Sequence, residues 1–279
     1  MLSEGDPRAY GVYVIRILFL GDIVGEPGRK AVMRRLASLK QEREVDFTIV
    51  NGENAASGRG ITPKIAIDLL RSGVAVITSG DHIWDQKEIV DYLPTEPRML
   101  RPLNYEEGTP GAGSVVLETE KGKVAVINAQ GRTFMNPPLE NPFTRIEEEV
   151  SRLKEEQGVK VIFVDFHAET TSESIAMGYH LDGTVSAVVG THTHVQTADE
   201  RILENGTAHL TDAGMCGPER SVLGRNVESV VWRFKTGMPT RFPVAKGQVR
   251  LCGVIVDVDE ETGRALFIER YNELLPLEN

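Results

Sequence analysis

Side chains able to bind metal ions occur at five places along the chain, each directly after a short apolar run. Carboxylate oxygens and imidazole nitrogens together suit manganese, iron, zinc and related ions better than calcium, which prefers oxygen ligands alone. The five motifs are GDIVG, NGEN, GDHIWD, DFHAE and GTHTH. They predict a metal site whose candidate ligands are Asp22, Glu53, Asn54, Asp81, His167, His192 and His194.

Each candidate has an ordinary structural interpretation when it is taken alone. Asp22 and Asn54 are typical of turns after strands, Glu53 is typical of a solvated surface, and His167 is typical of a half-buried imidazole. The joint occurrence of these residue types at successive strand ends favours the metal site.

The T-H-T-H run places His192 and His194 two positions apart. In an extended segment, residues at this spacing lie on the same side of the backbone. We therefore expect both rings to point at one metal centre or at two adjacent centres.

Strands and helices must position these motifs. From Val14 onward, strand-like and helix-like segments alternate, which is typical of an α/β fold with a largely parallel sheet. In open α/β sheets, ligands bind where the carboxyl ends of the strands meet. A predicted strand ends at or just before each metal motif, so the candidate ligands should converge.

Capping residues and apolar periodicity predict where the helices and hairpins lie. Pro27 and Gly28 open a first helix, and a second helix runs from its N-cap Thr62 to Gly73. The remaining predicted segments are a short helix at 84–92, a hairpin at 114–130, a helix at 144–157, an irregular stretch at 212–243 and a closing hairpin that turns at 262–263.

Composition excludes several classes of protein. The 279 residues are 41% hydrophobic and 26% charged, which are globular proportions, and the net charge of -10 excludes a partner that is a long nucleic acid. Two cysteines are too few for a disulfide framework or a thiolate zinc site, so we expect a cytoplasmic location. The start of the chain lacks the pattern of a signal peptide, and no apolar run is long enough for a membrane span.

The chain is predicted to form a single domain over residues 14–279, preceded by a loose N-terminal extension at 1–13. His180 and His209 fall in a predicted helix and strand and are expected to be structural or surface groups. Cys216 is expected to be a small buried residue. The loop at 131–133 contains Arg132 and Thr133, for which both substrate contact and simple exposure are possible interpretations.

Six segments of the chain resemble the YmdB-like branch of the calcineurin-like metallophosphoesterases, in order and in spacing. They are GDIVG, NGEN, TSGDHIWD, DFHAE, VVGTHTHVQTAD and TDAGMCGP, and the resemblance covers about residues 15–271. It implies a calcineurin-like metallophosphoesterase fold, a β-sandwich flanked by helices in a four-layer α/β/β/α order. It also implies two metal ions at the strand ends and assembly into a homo-oligomer.

The resemblance further implies a role for each site residue. Glu53 bridges the two ions, Asp22, Asn54 and His194 complete one site, and Asp81, His167 and His192 complete the other. His82 is the implied catalytic residue, and His82 and Asn54 are the implied contacts to the substrate. The ions are divalent or trivalent, with manganese or iron expected and zinc or magnesium as alternatives.

The implied activity is metal-dependent phosphodiester hydrolysis of cyclic nucleotides, with 2',3'-cyclic nucleotides as the expected substrates. Two adjacent metal ions activate a hydroxide and clamp the phosphoryl oxygens, and His82 stabilises developing charge or protonates the leaving oxygen. Two alternatives stay open. The same centre suits a phosphomonoesterase or nucleotidase, and it also suits a metal-stabilised regulatory binding protein with little activity.

Asp81 departs from the family pattern, which has asparagine in this motif where the present chain reads G-D-H. A carboxylate still offers oxygen to a metal, but it adds negative charge and lacks an amide N–H, which disfavours an incoming phosphate. Two interpretations stay open: a natural variant with altered metal preference, and an engineered or chemically changed form with reduced activity.

Overall fold

The structure is a computed structural model, and it describes residues 13–277. Its strands are β1 (Val14–Leu20), β2 (Asp22–Ile23), β3 (Phe47–Asn51), β4 (Val76–Thr78), β5 (Ser114–Thr119), β6 (Gly122–Gln130), β7 (Val161–His167), β8 (Ala187–Thr191), β9 (Arg201–Ile202), β10 (Ala208–Leu210), β11 (Met215–Pro218), β12 (Val249–Asp259) and β13 (Ala265–Leu274). Its α-helices are α1 (Gly25–Glu42), α2 (Pro63–Arg71), α3 (Ile89–Tyr92), α4 (Pro142–Gln157), α5 (Thr171–His180) and α6 (Val227–Thr236).

The strands form two sheets. The first has the order β2-β11-β12-β1-β3-β4, with β13 also paired to β12, and the second has the order β5-β6-β7-β8-β10-β9. The predicted α/β class is confirmed, but the expectation of one largely parallel sheet is wrong. The strand β12 pairs antiparallel with β1, β11 and β13, because the closing hairpin supplies the strand beside β1.

Alternating side chains of β1 face two different layers, as the two-residue period of a strand requires. Ile17 and Phe19 enter an apolar cluster between the sheets, where Phe19 lies 5.2 Å from Phe163, measured between ring centroids. Leu18 and Leu20 face the other way, into a cluster with α1 and α2. A third cluster packs α4 and α5 on the second sheet. Burial on both faces keeps the strand ends in fixed relative positions.

The predicted helix start is correct for α2 but falls too late in the sequence for α1 and α4. The side chain of Thr62 accepts a hydrogen bond from the Ile65 backbone N–H, which confirms the predicted start of α2. The helix α1 begins at Gly25, before the predicted Pro27, and α4 begins at Pro142 rather than at position 144, because Asn141 caps it.

Two predicted segments are wrong in part. The short helix predicted at 84–92 is helical only over Ile89–Tyr92. The stretch predicted to be irregular at 212–243 contains β11 and α6, which Asn226 caps and a left-handed Gly237 ends. Most apolar residues of α6 are exposed. The helix therefore lacks the apolar stripe facing the core by which a helix is usually recognised in a sequence.

The predicted loose extension at 1–13 lies outside the described residues, apart from an exposed Tyr13. The single domain over 14–279 stays a prediction. Within 13–277, every helix is too short or too polar to cross a bilayer.

Candidate metal centre

The predicted ligands lie at the carboxyl ends of strands from both sheets. Asp22 follows the end of β1, and Glu53 and Asn54 follow β3. From the second sheet, His167 is the last residue of β7, and the T-H-T-H segment follows β8. The two sheets are tied together beneath these ends, because the Asn51 side-chain amide of β3 donates a 2.9 Å hydrogen bond to the Asp165 carboxylate of β7.

Four predicted ligands form one compact cluster: Glu53, Asp81, His167 and His192 offer donor atoms that all lie within 4.8 Å of one another. The His167 Nε2 lies 3.1 Å from a Glu53 oxygen, 3.2 Å from an Asp81 oxygen and 3.0 Å from the His192 Nδ1. Two carboxylates and two imidazoles at these distances form a donor set that suits a manganese, iron or zinc ion.

Asn54 and His194 form a second pair beside this cluster, with 2.8 Å between the amide Oδ1 and the ring Nε2. The Asn54 amide N–H groups face the Gly58 carbonyl and a Glu53 oxygen, so its Oδ1 faces the ring. The other ring nitrogen, Nδ1, lies 3.2 Å from the Leu223 carbonyl. Burial lowers the pKa of His194 and so favours the neutral ring, which carries one N–H for these two acceptors. A cation beside Asn54 and His194 would satisfy the second acceptor.

Asp22 lies next to the four-ligand cluster, with one carboxylate oxygen 4.0 Å from the His167 Nδ1, and it is fully buried. One carboxylate oxygen accepts the His192 backbone N–H at 3.1 Å, while the other oxygen has no hydrogen-bond partner among residues 13–277. Burial raises the pKa of Asp22 to about 6. A buried oxygen without a partner, next to two imidazole rings, fits a cation better than it fits a protein donor. All seven predicted ligands therefore lie together, and their individual roles stay a prediction.

The T-H-T-H segment is not extended, so the expected same-side geometry is wrong. His192 and His194 have positive φ angles of 104° and 66°, a region that few residues other than glycine adopt. The buried Asp212 carboxylate holds this turn, accepting the Thr193 backbone N–H at 3.0 Å, its hydroxyl at 2.8 Å and the Gly214 N–H at 2.7 Å. The turn separates the rings, so that His192 contacts His167 in the four-ligand cluster while His194 contacts Asn54.

A buried hydrogen-bond chain sets the proton position of His167. Its Nδ1 lies 2.8 Å from the Thr191 hydroxyl, which donates to Asp165 at 2.7 Å. Because that hydroxyl proton is engaged, the Nδ1 must be the donor, and Nε2 is the nitrogen that faces the cluster. Sequence reasoning missed Asp165 and Thr191. The available signal was a carboxylate interrupting the apolar β7, two residues before His167.

His82 lines the same centre without joining the four-ligand cluster. Its Nδ1 lies 3.0 Å from a Glu53 oxygen and 3.6 Å from an Asp81 oxygen. Burial alone lowers the pKa of His82, but the hydrogen bond and charge of Glu53 outweigh it and the pKa is raised. In the metal-free protein, the Glu53 carboxylate therefore favours the charged form of the His82 ring.

Asp81 faces three histidines, with oxygen-to-nitrogen distances of 3.2 Å to His167, 3.5 Å to His192 and 3.6 Å to His82. Burial acts to raise the pKa of Asp81, but hydrogen bonds from His167 and His192 lower it well below its usual range. The opposite ring nitrogen of His192 lies 2.9 Å from Glu169, a further carboxylate that sequence reasoning missed. Asp81 thus adds charge while keeping an oxygen in the cluster.

The remaining candidates lie outside this cluster. His180 lies near Glu147, His209 is buried with its Nδ1 against the Val188 carbonyl, and Cys216 is a fully buried free thiol. The loop at 131–133 begins beside the centre, since the Gly131 N–H donates to the His167 carbonyl at 2.9 Å. The backbone N–H groups of Arg132 and Thr133 bind the Glu173 carboxylate, and substrate contact by this loop stays a prediction.

Solved structures share this fold over nearly the whole chain. A structure described as a novel phosphatase from Mycoplasma pneumoniae is 37% identical with a TM-score of 0.88, and 94% of each chain is covered. A hypothetical protein from Thermus thermophilus is 38% identical with a TM-score of 0.86, covering 94% of this chain and all of that one. Two packed sheets with a carboxylate and histidine cluster at the strand ends define a protein of the metallophosphoesterase class.

The family within that class follows from sequence comparison. The pattern of the YmdB-like protein family matches residues 18–271, and this chain belongs to that family. A Bacillus subtilis relative named 2',3'-cyclic-nucleotide 2'-phosphodiesterase is 50% identical over 256 residues, covering 92% of this chain and 96% of the relative. A Mycoplasma pneumoniae relative named putative phosphatase/phosphodiesterase is 39% identical, covering 91% of this chain and 92% of the relative.

Proposed function

We propose that this protein is a metal-dependent phosphodiesterase that hydrolyses cyclic nucleotides, with 2',3'-cyclic nucleotides as the substrate class. The observation that carries the proposal is the cluster of Glu53, Asp81, His167 and His192 with His82 beside it. The name of the Bacillus subtilis relative supports the choice of substrate.

Each group of residues has a separate task in this proposal. Glu53 links the four-ligand cluster to the Asn54 and His194 pair, because the Asn54 amide donates to it at 3.3 Å. Two metal ions bound there would supply a water of lowered pKa and positive charge for the phosphoryl oxygens. Glu53 orients His82 through its Nδ1, so that Nε2–H is the proton available to the leaving oxygen. Manganese or iron suits the mixed nitrogen and oxygen donors, with zinc or magnesium as alternatives.

Hydrolysis of 2',3'-cyclic AMP by protein with added manganese tests the proposal, beside a chelator-treated sample. We expect His82→Ala to lower kcat by about 10²- to 10⁴-fold with an unchanged metal content, because it removes a proton donor and no ligand. His180→Ala, which changes a histidine of α5 outside the cluster, is the matched control and should keep full activity. An unchanged kcat in His82→Ala would exclude the assigned role.

Asp81 favours a second candidate, a metal-stabilised binding protein with little catalysis, because its carboxylate adds negative charge inside the cluster. Metal-loaded protein that turns over neither cyclic diesters nor phosphomonoesters would support it. In that case Asp81→Asn separates two explanations. Restored turnover identifies an enzyme inactivated at this position, and no restoration identifies a binding protein.

The proposal extends to the domain organisation, the cellular location and the assembly of the protein. Residues 14–279 form one domain with the calcineurin-like four-layer order α/β/β/α, supported by apolar clusters between the sheets and beneath the helices on either side. Both cysteines are buried free thiols, which supports a reducing cytoplasm. Homo-oligomeric assembly stays a prediction, which native mass measurement tests.

A further inference from the structure

The metal centre opens into a cavity of about 410 Å³ whose two ends differ in chemistry. One end consists of polar groups of the centre, including Glu53 and Asn54. The other end is an apolar wall formed by Leu223, Phe234 and Phe242, from the segments on either side of α6 and from α6 itself. With metal ions bound at the polar end, a ligand that joins an anionic group to an apolar one would match both parts of this lining.

The side chains of the wall are unusually exposed for their size. The exposed fraction is 83% for Phe234, 47% for Leu223 and 41% for Phe242. Large apolar side chains gathered at one edge of a polar cavity mark a binding surface, because water covers them at a cost in free energy. Two phenyl rings also offer flat faces on which an aromatic ligand stacks.

The wall is held in place relative to the metal ligands. The guanidinium of Arg225 donates to the carbonyls of Phe242 at 3.1 Å and Ser57 at 3.2 Å, and also to the carbonyl of Gly58. Asn54 donates to that same Gly58 carbonyl at 3.4 Å. One arginine thus joins the segment carrying Phe242 to the loop carrying a predicted metal ligand.

A second connection runs through His194, whose Nδ1 lies 3.2 Å from the carbonyl of Leu223. Movement of the Leu223 segment away from the centre would break this contact. Direct hydrogen bonds therefore connect the polar and apolar ends of the cavity.

We propose that Phe234 and Phe242 form a nucleobase subsite, in which the base of a cyclic nucleotide stacks while its phosphate lies at the polar end. This inference rests on the proposed function. It adds a site for the base, which is the part of the substrate that the metal centre does not select. The wall has flat apolar faces, so it favours bases by stacking area, and purines should bind more tightly than pyrimidines.

The test compares 2',3'-cyclic AMP with glycerol 1,2-cyclic phosphate, which keeps a five-membered cyclic phosphate but has no base. We expect the double variant Phe234→Ala/Phe242→Ala to lower kcat/KM for 2',3'-cyclic AMP by about tenfold or more, chiefly through KM. The value for glycerol 1,2-cyclic phosphate should not change. Phe267→Ala is the matched control, since Phe267 is also 41% exposed but lies on β13, outside the cavity lining.

Equal losses on both substrates, or no loss on either, would overturn the subsite. A change in native mass of the double variant without a selective kinetic loss would also overturn it, and would assign the wall to contact with a second copy of the chain.

Failure of the proposed function gives a different result, because the unaltered protein then hydrolyses neither substrate. Calorimetric binding of adenosine 3'-monophosphate and glycerol 2-phosphate to manganese-loaded protein decides the subsite in that case. A Kd that rises about tenfold only for the adenosine ligand in the double variant supports the subsite. A Kd unchanged for both ligands, or raised equally, overturns it.

Discussion

The hydrogen-bond chain behind His167 determines what its ring offers to the centre. Asp165 accepts from the Thr191 hydroxyl, and that hydroxyl faces the ring Nδ1. Asp165 is fully buried, and burial raises its pKa to about 6. This hydrogen-bond chain therefore sets which nitrogen of His167 carries the proton and how the ring is oriented. Residues outside a metal site tune its ligands in the same way.

The substitution Thr191→Val tests this hydrogen-bond chain. The change removes the hydroxyl but keeps the shape, leaving the buried Nδ1–H of His167 without an acceptor. We expect metal affinity to fall about 10- to 100-fold, measured by competition with a fluorescent chelator. Thr191→Ser should restore it.

Thr48→Val is the matched control for this substitution. Thr48 is also a buried threonine on a strand, but its hydroxyl has no hydrogen-bond partner in the part of the chain that the structure describes. Its substitution should leave metal affinity unchanged. Equal weakening in both variants would mean that the loss arises from strand packing rather than from the proton position of His167.

At the scale of single residues, the sequence predicted the metal-capable groups but not their supports. The predicted ligands stood out because polar side chains at successive strand ends are unusual together. Asp165, Thr191 and Asp212 were not, since their partners come from other strands or from residues distant along the chain. Glu169 was missed although it follows His167 by two positions.

At the scale of elements, Gly80 between β4 and Asp81 shows how tightly a strand end approaches the opposite sheet. A Cβ built at Gly80 would collide with the Glu53 carboxylate and the His167 ring. The absence of a side chain is therefore what allows the end of β4 and the end of β7 to meet at one cluster.

Gly80→Ala should accordingly displace Glu53 or His167. We expect metal affinity to fall at least tenfold and the free energy of unfolding to fall by about 1–3 kcal/mol, the usual cost of overpacking. Metal analysis and chemical denaturation measure the two effects.

Gly237→Ala provides the comparison, because a Cβ there meets no atom within 4 Å while φ is +69°. It should cost about 1 kcal/mol of stability through backbone strain and leave metal affinity intact. Full metal affinity in Gly80→Ala would contradict the close approach of the two strand ends.

The presence of a helix or strand was easier to predict from the sequence than its backbone geometry. The cap at Thr62 and the hairpin of β5 and β6 follow from local rules, because neighbouring residues determine them. The positive φ angles of His192 and His194 could not be foreseen, because Asp212, which holds that turn, lies on a different segment. The helix α6 escaped detection because it buries little of its apolar surface.

At the scale of the whole molecule, the two sheets enclose a concentration of buried acidic groups. Burial raises the pKa of Asp22 to about 6 and that of Asp212 to about 7. For such a carboxyl group, the folded metal-free protein binds a proton more tightly than the unfolded chain. Its contribution favours folding at low pH and is lost as pH rises from about 4 towards these values.

Metal removal should therefore lower the melting temperature, and by more at pH 8 than at pH 5. At a free metal concentration of about 1,000 Kd the stabilisation is about 4 kcal/mol, or about 10 °C for a protein of this size. At pH 5 the proton on Asp22 competes with a cation, so the gain from metal shrinks. Scanning calorimetry with and without chelator measures both values, and a gain larger at pH 5 would contradict this linkage.

The strand order has a consequence for biosynthesis. A ribosome has already added every predicted ligand once His194 is made, but β12 is complete only at Asp259. That late strand lies between β1 and β11, so β2 and Asp22 cannot join the first sheet before it arrives. A nascent chain halted before Val249 therefore carries all the predicted ligands but lacks the strand that connects β11 and β2 to β1, so the part of the candidate centre that contains Asp22 is completed last.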